Sequence, residues 1–240
     1  MSPIRCLLVA SLLLTACGEE TAPSDEPSPH QVSGDAFAFT LPGTPYGRIM
    51  GGRVSVLEAP EVETTTDDEG HFALELPATV AQATFVITAD GFPEAQTKTF
   101  DITGDLERVT FQVPDDSLYT SLAGVLQLTT SPDHCQLVTT VTVVGKSIYD
   151  AGAHGEAGAT VTIDPAPAEM DGPVYFNSAV IPDRTRTDTS DDGGVVIANV
   201  TPGTYTLSAH KDGVSFETIT VACRAGVLVN ASPPYGLQAL

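Results

Sequence analysis

One pattern occurs twice in this chain and strongly limits its fold: an acidic, glycine-containing turn with alternating apolar segments on both sides. The later copy, residues 187–211, places the turn SDDGG at 190–194 before the β-branched run VVI. Asp and Ser side chains hydrogen-bond their own backbone and Gly adopts positive φ, so such a run reverses the chain. The earlier copy, residues 64–90, has the turn DDEG at 67–70 before HFALEL. Because β-branched residues and a period of two favour strands, both copies predict β-hairpins.

The two copies agree at three places, in the same order along the chain. GGRVSV at 51–56 matches GATVTI at 158–163, TDDEG at 66–70 matches TSDDG at 189–193, and DG at 90–91 matches DG at 212–213. One such match arises easily by chance, but three in order indicate a tandem array of two similar units. The 21 Gly and 18 Pro residues, without long helical patterns, predict many short strands, so the expected fold class is all-β.

These residues resemble the carboxypeptidase regulatory-like family, whose pattern is G-A-x-V-x-I, then T-D-x-x-G, then P-G-x-Y-x-L, then a further Gly. The second unit carries it at Gly158, Ala159, Val161, Ile163, Asp191, Gly193, Pro202, Gly203, Tyr205, Leu207 and Gly213. The first unit carries it at Gly52, Val54, Val56, Thr66, Asp67, Gly70, Phe72, Leu74 and Gly91, with Pro77-Ala78 in place of Pro-Gly. The resemblance implies two seven-stranded, transthyretin-like β-sandwich domains in tandem. It also implies a non-catalytic module that binds or scaffolds, because the family's domain is generally an accessory.

The expected domain organisation follows from the two units and their flanks. It comprises a signal peptide at 1–16, a lipidated cysteine and linker at 17–35, sandwiches at 36–115 and 120–231, and a tail at 232–240. Residues 115–119 are predicted to form a short acidic junction, and residues 121–128 are predicted to open the second unit. The tail carries apolar residues and is predicted to lie on the sandwich.

The first residues have the features of an export signal. Arg5 precedes an apolar run at 7–14 that is too short to span a bilayer. The run ends in LTAC at 14–17, which resembles the bacterial lipobox. That resemblance implies cleavage before Cys17 and acylation of Cys17, and several acyl chains together anchor a protein stably. The alternative is an ordinary secretory leader followed by a chance cysteine.

The segment after Cys17 is predicted to be a flexible tether. Residues 18–35 are rich in Pro, Ser and acidic residues and have no apolar periodicity. His30 lies in this segment and is predicted to be solvated. Gly18 stands where an Asp would signal retention in the inner membrane, so the expected location is the cell envelope, at the outer membrane.

The charge of the chain restricts its partners. The formal net charge is −21 over 240 residues. Nucleic-acid binding needs a basic surface, so a nucleic-acid partner is not expected. Docking on anionic lipid through surface charge is equally disfavoured. The expected partners are the membrane, through the N-terminal lipid, and an envelope protein or polysaccharide.

The four cysteines predict one disulfide. Cys6 leaves with the leader and Cys17 takes the lipid. Cys135 and Cys223 remain as an even pair in an exported, oxidising compartment, where disulfides form. The alternative is a metal site that includes His134, although two Cys and one His at these spacings match no zinc pattern.

No motif predicts a catalytic residue or a cofactor. The chain has no H-E-x-x-H and no G-x-S-x-G. His71 and His210 fall on the outward rows of their strands, and the acidic turns lack the D-x-D-x-D-G spacing of a calcium loop. The alternative hypothesis is a metal-dependent enzyme, similar to the intradiol dioxygenases, with a site at His154 and Glu156 in the loop at 146–156. The chain lacks the closely spaced His pair of those enzymes.

Overall fold

A computed structural model describes residues 28–152 and 154–240. Across this described part it has 17 strands and one helix, which confirms the all-β prediction. The strands are β1 His30–Phe39, β2 Gly47–Arg48, β3 Arg53–Val56, β4 Ala59–Thr65, β5 His71–Leu76, β6 Gln82–Thr88, β7 Ala95–Asp101, β8 Leu106–Pro114, β9 Cys135–Thr142, β10 Thr160–Asp164, β11 Asp171–Phe176, β12 Pro182–Asp183, β13 Gly194–Val200, β14 Gly203–His210, β15 Ile219–Cys223, β16 Leu228–Asn230 and β17 Leu237–Gln238, and the helix is α1 Asp116–Val125.

The two halves of the chain pair their strands in the same way. In the first half β1 is antiparallel to β5 and parallel to β8, while β3, β6 and β7 form an antiparallel run. In the second half β9 is antiparallel to β13 and parallel to β16, while β10, β14 and β15 form an antiparallel run. The internal repeat inferred from three short sequence matches therefore extends to the pairing of six strands in each half. The first half adds β2 beside β1 and β4 beside β3. The second half adds β11 and β12 beside β13.

Each half packs its two groups of strands around a separate hydrophobic core. In β5, Phe72, Leu74 and Leu76 are buried and the residues between them are exposed, as the period of two requires. They meet Phe85 and Ile87 of β6 from the opposite sheet. The second core gathers side chains from β9, β13, β14 and β15. This arrangement confirms the prediction of β-sandwiches in tandem.

The two sandwiches share backbone pairing. Strand β16 runs parallel to β7 of the first half on one side and to β9 of the second half on the other. Thr220 of β15 also pairs with Thr99 of β7. Strands from both halves thus belong to one sheet of 13 strands, although the cores stay separate. The end of the first unit at 115 and the limits of the second unit at 120–231 stay predictions.

The junction between the halves is a helix, so the predictions for 115–119 and 121–128 are wrong. Asp115 is the N-cap of α1, and its side chain accepts a hydrogen bond from the Leu118 N–H at 2.8 Å. Asp116 adds a negative charge in the first turn, which a helix N-terminus favours. The acidic residues therefore start a helix instead of forming a linker. No helix within the described ranges is long and apolar enough to cross a membrane.

The predicted tether is too long at its C-terminal end. Strand β1 begins at His30, which pairs with Leu76 of β5, so the first sandwich starts before residue 36. Val32 is buried in the core, which holds this part of the segment against the sheet despite its polar composition. At the other terminus, Leu237 of β17 pairs with Val141 of β9 and is fully buried. Residues 1–27, including Cys17 and its predicted lipid, lie outside the described residues.

Candidate functional site

The second sandwich has an apolar surface on the outer face of its central strands. Along β9, Leu137 and Val141 point into the second core, so Val138 and Thr140 point the other way. Residues 195–198 of β13 are all apolar and buried, and Val196 lies on the same outer face beside Phe176 of β11. A strand that is apolar on both faces needs a second covering layer. Here that layer comes from the junction and from the first half.

Helix α1 forms one wall above this face. Leu126, its C-cap residue, packs with Val174, Phe176 and Val196 in a third hydrophobic cluster. Leu122 lines the space between the helix and the sheet. Residues 40–46, in the connection from β1 to β2, form a second wall.

Between these walls lies a cavity of about 580 Å³. Its lining comes from both halves of the chain and from α1, and most of the lining side chains are apolar. The volume falls within the range of about 300 to 1,000 Å³ that is typical of small-molecule pockets. We call this space the inter-half cavity.

Arg184 fixes the end of the helix over the cavity. Its Nε donates to the carbonyl oxygen of Leu126 at 2.9 Å. Its two terminal nitrogens donate to the two carboxylate oxygens of Asp171 at 2.8 and 2.7 Å. These bonds to Arg184 lower the pKa of Asp171 below its ordinary value. The wall of the cavity is thereby tied to strand β11.

One end of the inter-half cavity is polar. Asp191, Asp192 and His154 line it together with Thr142, at the end of β9. The backbone N–H of Gly194 donates to Asp192 Oδ2 at 3.0 Å. Burial raises the pKa of Asp192, the Gly194 hydrogen bond opposes this rise, and the negative charge of Asp191 adds to it.

Tyr46 brings the first half to the same polar end. Burial raises the pKa of the Tyr46 hydroxyl, and the charge of Asp192 adds to the rise while a hydrogen bond with Gln112 opposes it. Tyr46 and Gln112 belong to the first half and Asp192 to the second. The cavity is therefore lined by titratable groups from both halves.

The loop at 146–156 is held against the first half by Tyr149. Its hydroxyl donates to Asp35 Oδ2 at 2.5 Å, and its ring lies 5.9 Å from the ring of Phe37. Burial and the hydrogen bond to Asp35 raise the pKa of Tyr149. Asp35 also contacts the ring of His71 on β5. The contacts of Tyr149 with Asp35 and Phe37 position the loop that carries His154.

In the structure, His154 and Glu156 of the alternative metal site bind different partners. His154 is half-buried, and its Nε2 lies 2.7 Å from the carbonyl oxygen of Asp150. Glu156 forms an ion pair with Lys211 instead of facing His154. In residues 28–152 and 154–240, no three His, Cys, Asp or Glu side chains are grouped as metal ligands would be.

The disulfide between Cys135 and Cys223 is confirmed, and it joins the start of β9 to the end of β15. Because both sulfurs are bonded to each other, the alternative of a thiolate metal site with His134 is wrong. His134 instead lies 3.2 Å from a carboxylate oxygen of Glu169.

The acidic side chain of the first turn binds backbone N–H groups of that same turn, which accounts for an acidic residue there without a metal ion. Asp67 Oδ1 accepts from the N–H groups of Glu69 and His71, at 2.9 and 2.8 Å. These bonds lower the pKa of Asp67. His71 and His210 are exposed, as their strand rows predict.

The inter-half cavity was not predicted from the sequence. Two signals for it are present in the sequence. The apolar run at 195–198 of β13 indicates burial on both faces, and Asp115 three residues before Leu118 fits a helix N-cap. The walls come from segments that are far apart in the chain. No local sequence pattern indicates that these segments come together.

Comparisons with known proteins assign no family. No family model matches the chain, and no curated protein matches it. Among solved structures, the chain is similar to the Bacillus anthracis TIE protein at 14% identity, covering 84% of this chain and 34% of that one, with a TM-score of 0.28.

Two further solved structures are similar at the same level. A type II cohesin–X-dockerin complex from Acetivibrio cellulolyticus shows 16% identity over 51% of this chain and 78% of that one, with a TM-score of 0.29. GBS52, a minor pilin of Streptococcus agalactiae, shows 12% identity over 88% and 95%, with a TM-score of 0.25. TM-scores this low carry no argument about function.

Proposed function

We propose that this protein is a non-catalytic binding module of the bacterial cell envelope and that the inter-half cavity is its binding site. The cavity itself carries the proposal. It has the volume of a ligand pocket, it is lined mainly by apolar side chains, and one end offers a small set of polar groups. An apolar lining favours an apolar ligand over a polysaccharide.

The anchoring part of the proposal rests on the N-terminal sequence. The apolar run at 7–14 and LTAC at 14–17 support export and acylation of Cys17. With β1 starting at His30, the tether between lipid and sandwich would comprise residues 18–29. Because Gly18 follows the lipidated cysteine instead of an Asp, we propose that the folded part lies near the outer membrane. We also propose that both sandwiches are of the carboxypeptidase regulatory-like type.

Photo-crosslinking in intact envelopes tests the binding site. A photoreactive phenylalanine analogue replaces Leu122, which lines the cavity, or Val125, which is 51% exposed on the same helix and serves as the matched control. We expect an adduct at 122 that is absent at 125. Equal labelling at the two positions, or no labelling at 122, would contradict the proposed site.

Mass spectrometry tests the anchor independently. The membrane-extracted protein should begin at Cys17 and carry the mass of several acyl chains. The Cys17→Ser variant should leave the membrane fraction. An unmodified Cys17 in the mature protein would remove the anchor from the proposal and leave the cavity unaffected.

A further inference from the structure

We propose that the inter-half cavity binds an apolar molecule that carries a protonated amine, with the amine at Asp192 and the apolar part along β9 and β13. This inference rests on the proposed function, because it names the class of ligand for the same site. It follows from charge, aromatic contacts and hydrogen-bonding groups at the polar end of the cavity.

The charges of the lining favour a cation. Asp191 and Asp192 line the polar end with His154, and no Lys or Arg lines the cavity in the described part of the chain. An anionic head group would face two carboxylates without a compensating guanidinium or ammonium. A protonated amine would instead supply the partner that a half-buried carboxylate lacks.

An aromatic ring, that of Phe176, lies near the carboxylate of Asp192. A Cβ atom built on Gly194 would lie 2.6 Å from Asp192 Oδ2 and 3.0 Å from the ring of Phe176, so both side chains meet over this glycine. Tyr46 lines the same cavity. An ammonium group at Asp192 would therefore also lie close to the ring of Phe176, and aromatic rings attract cations.

One buried hydroxyl group at the cavity has no protein partner. Thr142 is 4% exposed and lies on the same outer face of β9 as Val138 and Thr140, where it lines the cavity. Its Oγ1 atom makes no hydrogen bond within the described residues. Buried hydroxyls in proteins are nearly always hydrogen-bonded. A protonated amine has three N–H donors, so it can bind a hydroxyl oxygen as well as the carboxylate.

The strand register separates the polar end from an apolar end. Gly194 pairs with Thr140, and Val196 pairs with Val138 further along the two strands. The floor thus changes from Asp192 and Thr142 to Val138 and Val196, with Leu126 above them and Gln136 beyond them. At about 3.4 Å per residue, residues 136–142 of β9 give the floor a length of about 20 Å, which suits an elongated ligand.

Three probes of equal chain length test the inference: decylamine, decanol and decanoate. Each displaces the neutral dye Nile red from the purified full-length chain carrying Cys17→Ser, which removes the predicted acyl chains. We expect decylamine to displace the dye at a concentration about tenfold lower than decanol needs, with decanoate the weakest.

Matched variants locate the charge that is responsible. Asp192→Asn should remove the tenfold preference for decylamine and leave decanol unchanged. Asp212→Asn makes the same change of charge at an exposed turn and should preserve the preference. Ala123→Phe, on the cavity side of α1, should weaken all three probes because it fills the space.

The outcomes separate the two proposals. If decanol and the dye bind in the cavity but decylamine binds no better than decanol, the amine inference is wrong and the binding module stands. If Ala123→Phe binds all probes normally, or if the unsubstituted cavity binds neither dye nor probes, the proposed site itself is wrong.

Discussion

Thr66 and Thr189 make the same hydrogen bonds at equivalent places in the two sandwiches. Thr66 Oγ1 accepts from the N–H of Gly52 at 2.9 Å, and Thr189 Oγ1 accepts from the N–H of Ala159 at 2.9 Å. Each hydroxyl then donates to the carbonyl oxygen three residues before that N–H, at 2.7 and 2.6 Å. Both threonines are buried. The repeat therefore preserves a specific side-chain contact as well as a strand order.

Replacing either threonine should destabilise the protein to a similar extent. Thr66→Val and Thr189→Val each keep the side-chain shape but leave a buried N–H and a carbonyl oxygen without their partner. We expect each to lower the free energy of unfolding by about 2 kcal/mol in urea denaturation. Thr204→Val, on an exposed position of β14, is the control and should change it by less than about 0.5 kcal/mol.

The disulfide should make a large contribution to stability. Cys135 and Cys223 are 88 residues apart in sequence, and closing a loop of this length stabilises by about 4.5 kcal/mol in the chain-entropy model. The double variant Cys135→Ala/Cys223→Ala should therefore unfold at a much lower urea concentration. A reductant should destabilise the unsubstituted protein and leave the double variant unchanged. Equal sensitivity of both proteins to the reductant would contradict this.

Asp192→Asn should stabilise the protein at neutral pH while weakening amine binding. Burial raises the pKa of Asp192, so its ionised form disfavours the folded state once the pH exceeds that raised pKa. The variant should have the higher melting temperature at pH 7, and the difference should disappear below the ordinary pKa of Asp, where both states bind the proton. The Gly194 N–H can still donate to the amide oxygen.

Asp171→Asn should change the melting temperature at pH 7 in the opposite direction from Asp192→Asn. Its pKa is lowered by Arg184, so its ionised form stabilises the fold above the ordinary pKa of Asp, and this stabilisation is lost as the pH falls through the lowered value. The variant should melt at a lower temperature at pH 7 and match the parent in acid. Identical pH profiles for the Asp192 and Asp171 variants would contradict both assignments.

Arg184→Ala should loosen helix α1 over the cavity. The variant removes the hydrogen bond to the carbonyl oxygen of Leu126 and the paired bonds to Asp171. Because the pair is partly exposed, we expect a loss of only about 1 kcal/mol in unfolding free energy, together with weaker Nile red binding. Arg53→Ala removes an exposed ion pair with Glu63 on β3 and β4 and should leave dye binding unchanged.

Local signals in the sequence were enough to predict the hairpins. The turn at 190–194 and the alternation of β5 depend only on residues that are adjacent in sequence, so the sequence predicts both correctly. The same reasoning missed the start of β1, because the polar composition of residues 30–35 suggested a tether. Backbone pairing with β5 and the burial of Val32 hold that segment in the sheet. Helix α1 was missed because its acidic cap was interpreted as a linker.

The sequence by itself determined most of the strands, the turns, the internal repeat and the pairing of Cys135 with Cys223, since each depends on residue type, periodicity or the number of available partners. Only the tertiary structure decided that β16 joins the halves into one sheet and that α1 covers the outer face of β13. The inter-half cavity is formed by segments from the whole chain. Its position depends on how the two halves pack against each other. The apolar periodicity of the strands in either half does not specify that packing.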